Sequence, residues 1–395
     1  MSDWDFKLLE EYDTKISELA AGHGLDWFPI VYEVCDYYEM IGHMSYHGMP
    51  SHYQHWSYGK SFERTHQSYN MGAEGLPYEL IINSNPSIAY LMRENPAYLQ
   101  ILIMAHCVGH SDFFKNNRMF KDTRPEFTCS RFRSARKRIQ SYIEDPSIGV
   151  DKVEEVLDAA HSIRFQAHWY PRRRLSHSEL KEEYTNRIKN DPNNEYVDFD
   201  IEKIPLEPDF DLLGFIAEHS RKIPEWKRDI LNIVKEESQY FIPQIRTKIM
   251  NEGWASYWHY RLMHELELPQ KFHIPFLKSH NQVIRPIIGG LNPYHLGFHL
   301  FKKIEERHGL ERCFFAREVS HDEAFLREYL KEEDCQELNL FSFSKKRDAF
   351  SIDDISDDEG WESVKNELYS NIGMNTFPRI YVDCISESNV LVLKH

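Results

Sequence analysis

The segment that begins at Pro96, PAYLQILIMAHCVGHSDFFKNN, constrains this chain more than any other, because it is long, strongly apolar and helically spaced. Leu99, Ile103, His106, His110 and Phe113 recur every three or four residues and mark one inward face. A helix this apolar has to be wrapped by other elements. Two histidines four residues apart on one face put both imidazoles over a single spot, which is how zinc proteases hold their metal from one helix. An uncompensated pair of buried imidazoles is costly, so this face calls either for a metal or for carbonyl and carboxylate partners.

The spacing alone is a weak signal. With 21 histidines among 395 residues, chance gives roughly one such pair. His43/His47, His106/His110 and His295/His299 all have the spacing, and only the second lies in a long apolar helix. A third ligand is expected from a later helix, and Asn251-Glu252-Gly253-Trp254-Ala255 offers Glu252. Glu252 shares a face with Ser256, His259 and Met263, and Gly253 lets a neighbouring helix or ligand come close. The plainer alternative for Glu252 is a carboxylate favoured by the helix dipole. Asp158 and His161, three apart, offer a further ligand or an outer partner, or else form a buried ion pair. The expected cofactor is a divalent transition metal, with zinc the first choice and iron or manganese also suited to mixed His/carboxylate ligands.

In the His-Glu-x-x-His motif the Glu is the general base. Here that position is Cys107, which points roughly 100° away from His106. By elimination the expected base is Glu79, in the otherwise apolar GLPYELIINSNP; its alternative is a cap or a partner for an Arg. His259 or His55 would stabilise an oxyanion. His55 belongs to a cluster with His43, His47, His52 and Trp56 that either lines a cleft or packs.

The remaining composition sets bounds. A net charge of −16 disfavours nucleic acid and anionic membranes as chain-wide partners. No apolar run approaches the roughly 18 to 20 residues that span a bilayer. The opening MSDWDFKLLEEYDTK lacks a signal-peptide layout, so a cytoplasmic location is expected. The six cysteines include no Cys-x-x-Cys and are read as reduced thiols. Up to about residue 80 the chain reads as packed but irregular. Asn85-Pro86, Asn95-Pro96 and Asn292-Pro293 read as helix starts. VDKVEEVLDAAHSIRFQAHWY reads as another helix, followed by an exposed, charged insertion at about 171–208. Helices return with PEWKRDILNIVKEESQYF and NEGWASYWHYRLMHELEL. From residue 311, CFFAREV, ELNLFSF, DAFSID, FPRIYVD and NVLVLKH read as strands, with DEAFLREYLK and WESVKNELYSN as helices between them. The expected fold is mainly α: a helical, zincin-like metal-binding domain over 1–310 and a small split-βαβ α/β domain over 311–395.

Several long segments resemble the SpoVR (stage V sporulation protein R) family: GLDWFPIVYEV, HWSYGKSFE, YELIINSNPSIAYLMREN, MAHCVGHSDFFKNN, DILNIVKEESQYFIPQIRTKIMNEGWASYWHY and NPYHLGF. The likeness is greatest around His106, His110, Asn251, Glu252 and His259. It implies a role in spore cortex formation, or in relatives a similar cell process, and as partners an AAA-type serine protein kinase and a von Willebrand A-like protein. Relatives extend beyond His395, so a shortened member is expected. Glu-Gly-Trp-Ala is also similar to an element of some helical zinc carboxypeptidase-like families, where the Glu is a ligand. Two functions stand side by side. One is a metal-dependent hydrolase acting on an amide in a peptide or cell-wall precursor, which the inward polar residues favour. The other is a non-catalytic regulatory or scaffold protein with a structural metal, whose C-terminal domain docks a partner such as the kinase; Cys107 favours it.

Overall fold

The computed structural model describes residues 3–71, 79–167, 177–190, 211–220, 222–287, 290–346, 349–355, 357, 360–386 and 390–395. The contacts divide the chain into two units, Met1–Arg138 with Pro243–Thr376, and Ile139–Ile242 with Phe377–His395. Both are mainly helical.

The first unit opens with α1 (Phe6–Gly22), β1 (Ile30–Cys35), α2 (Tyr37–Ser45) and α3 (Trp56–Asn70). These are regular elements where an irregular segment was expected. Asp5 caps α1 by accepting from the Leu8 backbone N–H, and Asp36 and Glu39 form a reciprocal capping box on α2. β2 (Leu80–Ile82) and β3 (Ser87–Met92) follow. The three strands form a sheet in the order β1-β3-β2, with β1 parallel and β2 antiparallel to β3. Asn85-Pro86 therefore precedes a strand and not a helix.

α4 (Ala97–Asn116) is buried along almost its whole length, as its all-round apolar sequence requires. Its first free N–H, on Ala97, donates to the Asp3 carboxylate at 2.8 Å, so the cap comes from outside the helix and not from Asn95. α5 (Thr128–Glu144) leads into the second unit, which holds α6 (Val150–Ser162), α7 (His177–Lys189) and α8 (Leu212–His219). α9 (Glu225–Arg246) runs through Pro243 and ends in the first unit. Apart from α7, the expected insertion at 171–208 lies outside the described residues.

Back in the first unit are α10 (Lys248–Glu265), α11 (Gln270–Val283), α12 (Pro293–His308), α13 (Leu310–Val319), α14 (Asp322–Tyr329) and α15 (Glu332–Glu337). Asn292 caps α12 with Pro293 in the first turn, as its sequence predicts. CFFAREV, expected as a strand, lies in α13: Cys313, Ala316 and Arg317 are its buried residues, spaced by three and by one as on one helical face. β4 (Ser342–Lys346), β5 (Ala349–Asp354) and α16 (Trp361–Ser370) complete this unit. β6 (Tyr381–Ile385) and β7 (Leu391–Lys394) belong to the second unit, where Val382 packs with Leu212 and Phe215.

The expected split-βαβ sheet is replaced by two separate antiparallel hairpins, β4-β5 and β6-β7. The expected boundary at 310/311 does not coincide with the division by contacts. Cys313, Ala316, Phe325 and Leu326 belong to the same buried cluster as α4 and α10, which ties α13 and α14 into the first unit.

Two close helix crossings position everything that follows. A Cβ on Gly109 of α4 would lie 2.7 Å from Ala255 Cα of α10, and a Cβ on Gly253 of α10 would lie 2.4 Å from Gly297 Cα of α12. Only glycine permits these approaches. The neighbour that Gly253 admits is thus a helix.

Candidate metal centre

Among the described residues, one group of histidine and carboxylate side chains can hold a metal ion: Glu79, His106, His110 and Glu252, whose ligand atoms all lie within 4.8 Å of one another. They come from three places. Pairing of β2 with β3 sets Glu79, the residue just before β2, and β3 leads by a short turn into α4 with its two histidines. Glu252 reaches them because α10 crosses α4 at the Gly109–Ala255 contact.

The geometry supports a shared cation. His110 Nε2 lies 3.3 Å from Glu252 Oε2, and His106 Nε2 lies 3.5 Å from Glu79 Oε1 and 3.8 Å from Glu252 Oε2. Ligands at about 2.0 to 2.2 Å around a tetrahedral zinc are separated by about 3.3 to 3.6 Å. His106 Nε2 and Glu252 Oε2 are buried and make no hydrogen bond. His110 Nδ1 bonds Asn251 Oδ1 at 2.9 Å and so carries a proton, which leaves Nε2 of the neutral ring as a bare lone pair facing a carboxylate. Such an acceptor pair needs a proton or a metal between its members, so the residues present fit a metal.

The electrostatics agree. Burial opposes ionisation of Glu252, but the neighbouring His106 and His110 imidazoles outweigh it and hold the carboxyl below the usual range. Burial likewise opposes protonation of His110, but Glu252, with Asn251 and Glu79, outweighs it and raises the imidazole.

Tyr294, at the start of α12, is part of the same neighbourhood. Its hydroxyl donates to Glu79 Oε1 at 3.3 Å and its ring stacks on His106 at 6.2 Å. Burial, then the Glu252 and Glu79 carboxylates, push the phenol well above its ordinary value, so it keeps its proton. Neither spacing nor composition singles out Tyr294, although it lies in the NPYHLGF segment that carries the family likeness.

The other expected site residues lie elsewhere. His259 stands behind His106, with both ring nitrogens engaged: Nδ1 to His106 Nδ1 and Nε2 to His280 Nδ1, each at 2.7 Å. It does not face the four-residue group. His55 is the N-cap of α3, accepting from Ser57 N and bonding Ser57 Oγ at 2.7 Å. Asp158 and His161 lie on α6 in the second unit, Asp158 exposed and His161 half-buried, and neither is in the group. Cys107 is fully buried. Two residues beyond His110, buried Asp112 accepts from Trp254 Nε1 and from Asp26 N, both at 2.8 Å, tying α4 to α10.

The profile of the family described as SpoVR like protein matches residues 3–377. The chain belongs to the SpoVR family. An Escherichia coli (strain K12) member, described as uncharacterized protein YcgB, is 34% identical over 428 residues, covering 96% of this chain and 84% of the relative. No solved structure matches. No helix among the described residues is long and apolar enough to cross a membrane.

Proposed function

We propose that this SpoVR-family chain is a metal-dependent hydrolase of zincin-like chemistry, acting in the cytoplasm on an amide in a peptide or cell-wall precursor. The observation that carries the reading is the convergence of Glu79 on the His106/His110/Glu252 group, with a side chain only 12% exposed. His106, His110 and Glu252 would hold the metal, zinc by ligand type. Bound there, zinc supplies Lewis acidity and makes water a better nucleophile near neutral pH. Glu79 takes the proton of the attacking water and hands it to the leaving amine. Tyr294, a protonated phenol beside the two carboxylates, donates a hydrogen bond to the developing oxyanion, the part assigned from sequence to His259 or His55.

The test is Glu79→Gln in full-length protein purified without a histidine tag, assayed on a panel of peptides and muropeptides. The expected outcome is full metal content with turnover reduced by about 10² to 10⁴-fold. One observation favours a second reading: Glu79 stands as near His106 as a fourth ligand would. A closed four-ligand site is structural. Loss of metal from Glu79→Gln, with no turnover by the metal-loaded wild type, would favour a scaffold that works with a partner such as a serine kinase.

A further inference from the structure

Behind the metal centre runs a series of three imidazoles, of which the reaction above uses only His106. His106 is on α4, His259 on α10 and His280 on α11. The contacts His106 Nδ1 to His259 Nδ1 and His259 Nε2 to His280 Nδ1 are both 2.7 Å. His259 and His280 are each 1% exposed. The rings of Tyr260 and Phe298 stand 4.7 and 4.9 Å from that of His280.

Two ring nitrogens this close share one proton, and a neutral imidazole has only one to place. Both rings are buried and face one another and His106 nitrogen to nitrogen, so each contact requires one bare ring nitrogen and each ring here carries a single proton. The order of protons then follows from one end. With the His106 Nε2 lone pair committed to a metal, the His106 proton is on Nδ1. His259 must accept there, so its own proton is on Nε2. His280 accepts in turn at Nδ1 and carries its proton on Nε2. With His106 protonated on Nδ1, no other tautomer of either ring satisfies both contacts.

We propose that His259 and His280 are positioning residues of the metal centre, a two-ring brace that locks His106 in the Nδ1–H tautomer and so sets metal affinity. The inference rests on the metal-centre reading. It leaves His110 to an independent brace, Asn251. A ligand imidazole whose outer N–H is hydrogen-bonded is oriented and made more basic, and losing that partner typically costs about 10 to 100-fold in affinity.

The experiment uses [15N]histidine-labelled full-length chain, stripped with chelator and reloaded with one equivalent of zinc. Two-bond 1H–15N correlation spectra report which nitrogen of each ring bears the proton, with single variants supplying the assignments. In the zinc form His106 is expected protonated on Nδ1, and His259 and His280 on Nε2. A His259 proton on Nδ1, or a His280 proton on Nδ1, overturns the brace. Zinc affinity, read by competition with 4-(2-pyridylazo)resorcinol, is expected to fall about 10 to 100-fold in His259→Phe and to recover in His259→Gln, which can still accept from His106 and donate to His280. Equal affinity in folded His259→Phe also overturns it. A wild type that takes up no zinc overturns the centre and the brace together, so the two failures are distinguishable.

Discussion

Cys107 stands where the His-Glu-x-x-His motif carries its base, and its surroundings make it unfit for that task. It is 0% exposed, and burial, reinforced by the Glu79 carboxylate, pushes its thiol well above the ordinary range, so it stays protonated. Restoring the motif on paper would fail: Cys107→Glu buries a carboxylate within the apolar cluster around α4. The expected result is a loss of about 3 to 5 kcal/mol in denaturant unfolding with no gain in turnover, whereas Cys107→Ala costs only about 1 to 2 kcal/mol and keeps its metal. A Cys107→Glu protein as stable as wild type would show that this position is not core. What was legible at this scale follows from the same physics. His106 and His110 stood out because polar rings in an apolar helix need a reason, Glu252 because it flanks the glycine of a close crossing, and Glu79 because it was an isolated carboxylate. Tyr294 and His280 did not stand out. Tyr294 meets Glu79 across 215 residues and His280 meets His259 from another helix, so only the folded chain brings these partners together.

At the scale of elements, α10 is held between α4 and α12 by small residues, and the position of Glu252 depends on that clamp. A Cβ at Gly253 would meet the backbone of Gly297, which has no flexible end to swing aside. Gly253→Ala is therefore expected to force α10 off α12, costing about 1 to 3 kcal/mol. The metal should bind more weakly as the Glu252 carboxylate shifts. Gly59→Ala on α3, where a Cβ would meet nothing within 4 Å, is the control and should stabilise the chain by about 0.4 to 1 kcal/mol. Thermal melts with and without zinc separate the two effects; an unaltered zinc-dependent shift in Gly253→Ala would disconnect the crossing from the site. The long, largely apolar elements α4 and α10, buried on nearly all sides, were legible in sequence. α1 to α3 were not, because their starts rest on Asp5, Asp36 and His55 caps amid mixed aromatic sequence. α13 was misread because adjacent Phe314 and Phe315 imitate a strand, while its buried residues keep the spacing of a helical face.

For the molecule as a whole, acid stability turns on buried groups of opposite sign that sit side by side. His321 is buried, and burial, helped by Arg246, Arg118 and Arg327, pushes it down to about 4. Its neighbour Asp322 accepts from the Ile249 and Met250 N–H groups at the start of α10, yet burial pushes it up to about 7. The unfolded chain protonates His321 first, so its contribution to stability is complete above about pH 6.5 and is lost as pH falls toward 4. Asp322 does the reverse: the folded chain holds its proton longer, so its contribution is complete below about pH 4 and is lost as pH rises through 7. Each proton changes the slope of stability against pH by about 1.4 kcal/mol per unit. Between pH 4.5 and 6.5 the two slopes largely cancel. His321→Gln should therefore tilt the profile toward greater stability in acid, and Asp322→Asn should tilt it the other way, toward loss of stability as pH falls. Urea titrations of both variants and the wild type at half-unit pH steps measure the slopes. Two tilts of the same sign would show that these groups do not titrate as their burial requires.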